Sequence, residues 1–197
     1  MADGGSDREL LGRAAAGDHA AFTGFVRRHR AAVWRFARAA TRSVQDAEDV
    51  LQQTFLAAWG AAADARAEHG ARPWLFGIAR NAVRRQGRRR AGEPVSMESL
   101  EGLGEAAGFG DEACTPEALA VVLEERELLR EALAALADEE REVIVLRDLE
   151  GLSGEQAAAV LGLELGALKS RLHRARLRLA GELYRRVRDP HAAGGGA

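Results

Sequence analysis

Apolar residues recur along most of the chain at steps of three and four, and no segment alternates apolar with polar positions at period two. The first spacing lines one face of a helix, and the second would mark a half-buried strand. Phe22, Phe25 and Val26, then Val33, Phe36 and Ala37, follow the helical rhythm. Ala47, Leu51, Phe55 and Ala58 repeat it on a second helix, and Asp46, Glu48 and Asp49 load its first turn with the charge that suits a helix N-terminus. Trp74, Leu75 and Ile78 open a third helix behind Pro73. Further on, Leu128, Leu129, Leu133 and Leu136 form one stripe, and Val143, Ile144, Leu146 and Leu149 another. All of these are core positions first. The pattern predicts an all-α protein.

The last third carries the sharpest local signals. A helix from Asp138 through Leu149 is closed by Gly151, where a left-handed cap is wanted. Ser153 and Gln156 form an S-x-x-Q capping box, so a new helix starts there. Leu161-Gly162 ends it, and the glycine permits a sharp turn. A third helix starts near Glu164 and runs past Leu179, with Leu165, Leu168, Leu172, Ala175 and Leu179 facing inward. Its other faces carry Lys169, Ser170, Arg171, His173, Arg174, Arg176 and Arg178. A basic helix alone is usually a wet surface. Behind a short capped helix and a tight turn, it is a helix-turn-helix reading helix. Gly166, Lys169, Ser170, Arg171, His173, Arg174 and Arg176 are the candidate contacts, with donors for phosphate oxygens and guanine edges.

Charge divides the chain further. The net charge of −2 over 197 residues hides a strong segregation. Residues 8–90 are arginine-rich, with six arginines in the eleven positions from Arg80 to Arg90. Residues 91–125 hold nine acidic side chains, no lysine or arginine, and several glycines, which predicts a flexible acidic linker. Residues 126–188 are periodic again, and 189–197 form a Gly/Ala tail expected to be disordered. The expected architecture is two small helical domains joined by that linker. The single cysteine, Cys114, excludes an internal disulfide and a cysteine zinc site. No run of 18 apolar residues is present, and the N-terminus lacks a signal-peptide core, so a cytoplasmic protein without membrane insertion is expected. The five histidines are scattered, and no phosphate loop, HExxH or G-x-S-x-G occurs, so neither an enzyme nor a cofactor is expected.

The stretches EEREVIVLRDLEGLS at Glu139–Ser153 and LKSRLHRAR at Leu168–Arg176 strongly resemble the promoter-reading domain of bacterial sigma factors, above all the extracytoplasmic-function group of the sigma-70 family. DAEDVLQQTF at Asp46–Phe55 resembles that family's polymerase-binding helix, and RPWLFGIARN at Arg72–Asn81 the opening of its promoter-melting helix. The resemblance implies that residues 8–90 are a region 2 domain and residues 126–188 a region 4 domain reading the −35 element. It implies a core RNA polymerase partner (β′ clamp and β flap), met by Asp46, Glu48, Asp49, Gln52 and Gln53. It implies promoter melting at −10 by Arg66, His69, Arg80, Asn81, Arg84, Arg85 and Arg88, with a base-flipping pocket in the loop 60–72. It also implies an anti-sigma factor as regulator. Glu164 departs from the family, where Ser or Pro is frequent at the start of the reading helix. The alternative is a polymerase-independent helix-turn-helix regulator binding an operator as a dimer.

Overall fold

The computed structural model describes residues 5–65, 70–90 and 116–188. Among them are eight α-helices and no strand: α1 (Asp7–Ala15), α2 (His19–Ala40), α3 (Val44–Gly60), α4 (Ala71–Arg90), α5 (Pro116–Ala134), α6 (Asp138–Ile144), α7 (Gly154–Leu161) and α8 (Leu165–Arg188). The all-α expectation holds. Residues 91–115 and 189–197, and with them Cys114, lie outside the described residues, as do Arg66 and His69.

Each helix start in the N-terminal half has a chemical cause. Ser6 and Glu9 form a reciprocal box: the Ser6 hydroxyl accepts from the Glu9 amide at 3.3 Å, and the Ser6 amide donates to the Glu9 carboxylate at 2.7 Å. This S-x-x-E signal starts α1, an element the apolar periodicity did not resolve. Asp18 caps α2 by accepting from the Ala21 amide, and Ser43 caps α3 by accepting from the Asp46 amide. α4 begins at Ala71, so Pro73 lies within its first turn, where no intrahelical amide is needed. Leu10, Phe25, Phe36 and Phe76 fill the space between these helices, with the Phe36 and Phe76 ring centroids 5.6 Å apart. Burying each such side chain contributes roughly 1.5–3 kcal/mol. His29 is buried beside them, 2.9 Å from the Asp7 carboxylate.

In the C-terminal half, α5 begins at Pro116, inside the segment expected to be linker. Proline suits a first helical position, and the alanine- and leucine-rich residues behind it favour helix in spite of the acidic composition. Arg141 ties the end of α5 down, donating to the carbonyls of Leu133, Ala134 and Leu136 at 2.8, 3.1 and 2.8 Å. α6 runs on into a wider π turn over Val145–Leu149. This shifts the face: Leu149, expected in the core, is 44% exposed, and Glu150 is carried inward instead. Gly151 (φ 67°) and Gly162 (φ 65°) occupy the left-handed region at the two predicted turns. Ser153 and Gln156 make the predicted capping box.

The two halves are not held apart. α2 packs on α5 and α6, and α4 packs on α7. Most of their buried apolar residues form one contiguous cluster from Leu10 to Ala175, with Ala37, Ala47, Val50 and Ala82 in a second, smaller one. The reading of two domains on a linker did not anticipate this contact.

Candidate nucleic-acid interface

α8 is held by Leu168, Leu172 and Ala175, which are buried as predicted, whereas Leu165 is 37% exposed at the first turn and Leu179 only partly covered. Gly162 sets the direction of the helix against α7. The opposite face divides in two. Gly166, Lys169, Ser170, His173 and Arg174 are exposed, and neither Lys169 nor Arg174 has an ion pair among the described residues. Three other cations are engaged from behind: Arg171 lies 3.1 Å from Glu139, Arg176 pairs through two nitrogens with Asp148 at 2.9 and 2.6 Å, and Arg178 lies 2.8 Å from Glu140. Asp148 raises the pKa of the Arg176 guanidinium by hydrogen bond and charge. These pairs orient Arg171 and Arg176 at the cost of part of their positive potential. Lys169 and Arg174 are therefore the freest cations of the reading helix.

On α4, Asn81, Arg84, Arg85 and Arg88 are exposed and line one shallow, open depression. Arg84, Arg85 and Arg88 have no carboxylate partner among the described residues, so the surface presents concentrated uncompensated charge. Arg80 is separate from this group. It is buried, donates to Glu142 at 3.0 Å and to the Val160 carbonyl at 3.2 Å, and so belongs to the contact with the C-terminal half.

α3 likewise separates its expected residues. Glu48, Asp49 and Gln52 are exposed and Gln53 half-buried, all on one side of the helix. Asp46 is buried, accepting from the Ser43 hydroxyl at 2.8 Å and from the Gln86 amide group at 2.5 Å. It ties α3 to α4 and is not presented on the outer surface. Leu56, not among the expected site residues, is 65% exposed at the i+3 and i+7 positions from Gln53 and Asp49. It adds apolar area to the outer face that carries these acceptors. Its signal in the sequence is the break in rhythm: Phe55 satisfies the core, leaving Leu56 with no inward role.

A third feature lies between the halves. The Glu150 side chain is 0% exposed and receives two hydrogen bonds from Arg35, at 2.8 and 3.0 Å, and one from Arg72 at 2.6 Å. Arg38, 5% exposed on α2, has all three guanidinium nitrogens buried without a hydrogen-bond acceptor. Among the described residues no group of His, Cys, Asp and Glu could hold a metal, and no helix is long and apolar enough to cross a membrane.

Known proteins share this arrangement. The family model described as Sigma-70 region 2 matches residues 25–93, and that described as Sigma-70, region 4 matches residues 126–179. The RNA polymerase sigma factor CnrH of Cupriavidus metallidurans is 37% identical over 89% of this chain and 93% of its own length. The ECF RNA polymerase sigma factor SigM of Mycobacterium tuberculosis is 35% identical over 89% of this chain and 83% of its own. Among solved structures, CnrH in complex with the cytosolic domain of CnrY superimposes with a TM-score of 0.65 at 34% identity, covering 90% of this chain and 96% of that one. The sigma factor RpoE in complex with the anti-sigma factor NepR, from Bartonella quintana, superimposes with a TM-score of 0.66 at 29% identity, covering 83% and 96%. With both family regions matched in order and such relatives aligned over nearly their whole length, this chain belongs to the sigma-70 family, in its extracytoplasmic-function group, and its role is transcription initiation.

Proposed function

We propose that this chain binds core RNA polymerase, directs it to promoters with −35 and −10 elements, and assists their opening in the cytoplasm, with no reaction of its own. The observation that carries this reading is a pair of exposed cationic surfaces on different halves: Lys169, Ser170 and Arg174 on α8, and Asn81, Arg84, Arg85 and Arg88 on α4. One protein surface reads one groove. Two surfaces on separate domains suit a two-part site. In this reading α8 lies in the major groove at −35, residues near its start meeting base edges and later arginines the backbone. The α4 surface meets the −10 element, where strand opening leaves single-stranded phosphates and bases to be held. The α3 face of Glu48, Asp49, Gln52, Gln53 and Leu56 meets the polymerase clamp, its acceptors answering arginines and Leu56 burying apolar area.

An anti-sigma factor is the proposed regulator. The support is by relation: RpoE was solved in complex with the anti-sigma factor NepR, and CnrH in complex with the cytosolic domain of CnrY. Run-off transcription with purified core enzyme tests the whole reading. A cognate promoter should give a transcript only when the chain is added. Tight operator binding by the free chain, unchanged by core enzyme, would instead favour a polymerase-independent regulator.

A further inference from the structure

We propose that Asp148 is a positioning residue: it holds the Arg176 guanidinium so that its outer nitrogens grip one backbone phosphate of the promoter beside the −35 element. The inference rests on the reading of α8 as the helix that enters the groove. Arg176 Nε donates to Asp148 Oδ2 at 2.9 Å, and Nη2 donates to Oδ1 at 2.6 Å, so the carboxylate takes the side edge of the guanidinium. Nη1 has no partner among the described residues. A guanidinium carries five N–H groups on one rigid plane, and this pair uses two. The end edge, formed by Nη1 and the second N–H of Nη2, stays open and points away from Asp148. That edge matches two oxygens of a phosphate. Arg171 and Arg178 are held differently. Arg171 approaches Glu139 through Nη2 at 3.1 Å, and Arg178 meets both oxygens of Glu140 through Nη1, at 2.8 and 2.9 Å. Both are met at an outer nitrogen, so the fork that would take a phosphate is already occupied in part. Of the three engaged arginines, Arg176 is the one whose pair fixes it and leaves its outer edge free.

Position selects phosphate over a base edge. Arg176 follows Lys169 by seven positions, so the two lie on nearly one stripe of α8, about 10 Å apart along its axis. The major groove is roughly 12 Å wide. With Lys169 over the base edges, Arg176 reaches the groove wall, where phosphates stand. The Asp148 side chain is 30% exposed against 54% for Arg176, so the carboxylate is the more sheltered partner. An exposed ion pair adds little to stability. What this one supplies is a fixed side-chain conformation. A long side chain already ordered loses less freedom on binding, a gain of about two- to tenfold in affinity. Asp148 also carries a negative charge, which by itself opposes DNA. Removing a bystander charge beside DNA tightens binding, whereas removing a positioning group weakens it. The two roles predict opposite signs.

The experiment titrates the full chain, bound to core RNA polymerase, with a labelled promoter duplex that the wild-type holoenzyme selects from a library randomised at −35. Asp148→Asn keeps the size and loses the charge and one acceptor; it should weaken binding about fivefold, and Asp148→Glu should restore most of the loss. Arg176→Ala should cost about tenfold. In that background Asp148→Asn should cost nothing further, because it has nothing left to orient. Neutral methylphosphonates placed one at a time through the −35 region should reveal one phosphate whose neutralisation weakens wild type about tenfold and leaves Arg176→Ala unchanged. Each free variant should melt within about 2 °C of wild type by far-UV circular dichroism, which removes unfolding as a cause. Binding by Asp148→Asn that equals or exceeds wild type, or losses that add in the double variant, overturns the positioning role. A guanine whose replacement by 7-deazaguanine weakens wild type and not Arg176→Ala, with no such phosphate, overturns the phosphate grip. So does wild-type binding by Arg176→Ala while Lys169→Ala and Arg174→Ala bind weakly. Unchanged binding when all three are replaced together takes α8 off the DNA, and the reading beneath the inference falls with it.

Discussion

Removing the Arg141 side chain should cost more stability than any other single exposed-to-half-buried change in the C-terminal half. A helix leaves its last carbonyls without intrahelical donors. Here α5 ends at Ala134, and Arg141 reaches back across the turn to three carbonyls, those of Leu133, Ala134 and Leu136. The Leu133 carbonyl also accepts from the Leu136 amide at 3.1 Å, so it keeps a partner when Arg141 is lost. The Ala134 and Leu136 carbonyls accept no such backbone hydrogen bond among the described residues. Two orphaned carbonyls and the loss of charge-assisted bonds give about 2–4 kcal/mol for Arg141→Ala. The pair with Asp138 adds little, because that carboxylate is exposed and 3.3 Å away. For a chain of this length, the loss should lower the far-UV melting midpoint by roughly 5–15 °C. The three tryptophans, Trp34, Trp59 and Trp74, all lie in the N-terminal half, so their fluorescence reports whether that half melts separately. Arg141→Met keeps the apolar stem and loses the donors; it should recover only part of the deficit, and Arg141→Lys likewise, since one ammonium cannot span the carbonyls as a planar fork does. If Arg141→Ala melts within about 2 °C of wild type, water satisfies these carbonyls as well as the guanidinium does, and the reasoning fails.

Burial holds the His29 pKa below its ordinary value, against the pull of Asp7 and with Arg28 and Arg72 adding to the depression. Neutral His29 is thus the folded form: stability is retained above about pH 6.5 and falls as pH drops through that value, because the unfolded chain takes up the proton first. A urea midpoint measured at pH 7.5 and 5.5 should show this loss, and His29→Gln should flatten it. Leu56→Glu should abolish capture of core polymerase in a pull-down while shifting stability by no more than about 0.5 kcal/mol, as the site is exposed; retained capture would remove Leu56 from the interface. Lys169→Ala and Arg174→Ala should each lower the salt slope of promoter binding by about 0.9 if they meet phosphate, and leave it unchanged with altered sequence preference if they meet base edges. Phe36→Ala, a fully buried ring against Phe76, should cost about 3–5 kcal/mol in the same urea titration.

The helices and both turns of the reading motif were legible because their causes are local. A capping box spans four residues, as from Ser153 to Gln156, and a left-handed glycine needs only its own φ. The start of α1 was equally legible in Ser6 and Glu9 but was overshadowed by the stronger apolar rhythm downstream. Leu149 went astray for a different reason: a helical template assumes a constant step, and the π turn over Val145–Leu149 changes it. The candidate site was legible in composition and not in allocation. Asp46 and Arg80 look in sequence like their neighbours Asp49 and Arg84, yet the fold takes the first two inward, to Gln86 and Glu142. Their partners lie 40 and 62 positions away, and Arg35 meets Glu150 across 115. No periodicity carries information over such separations, and an arginine's charge is the same whether it awaits a phosphate or already holds a carboxylate. That ambiguity has a functional side. A guanidinium binds carboxylate by the same hydrogen bonds as phosphate, and the arginine-rich N-terminal half meets Glu142 and Glu150 of the C-terminal half in that way. Arg80 is engaged in this way, while Arg84, Arg85 and Arg88 stay clear of such pairs. If the α4 surface meets DNA as proposed, its first contacts fall to those three arginines rather than to Arg80, whose hydrogen bonds are already spent on Glu142 and Val160.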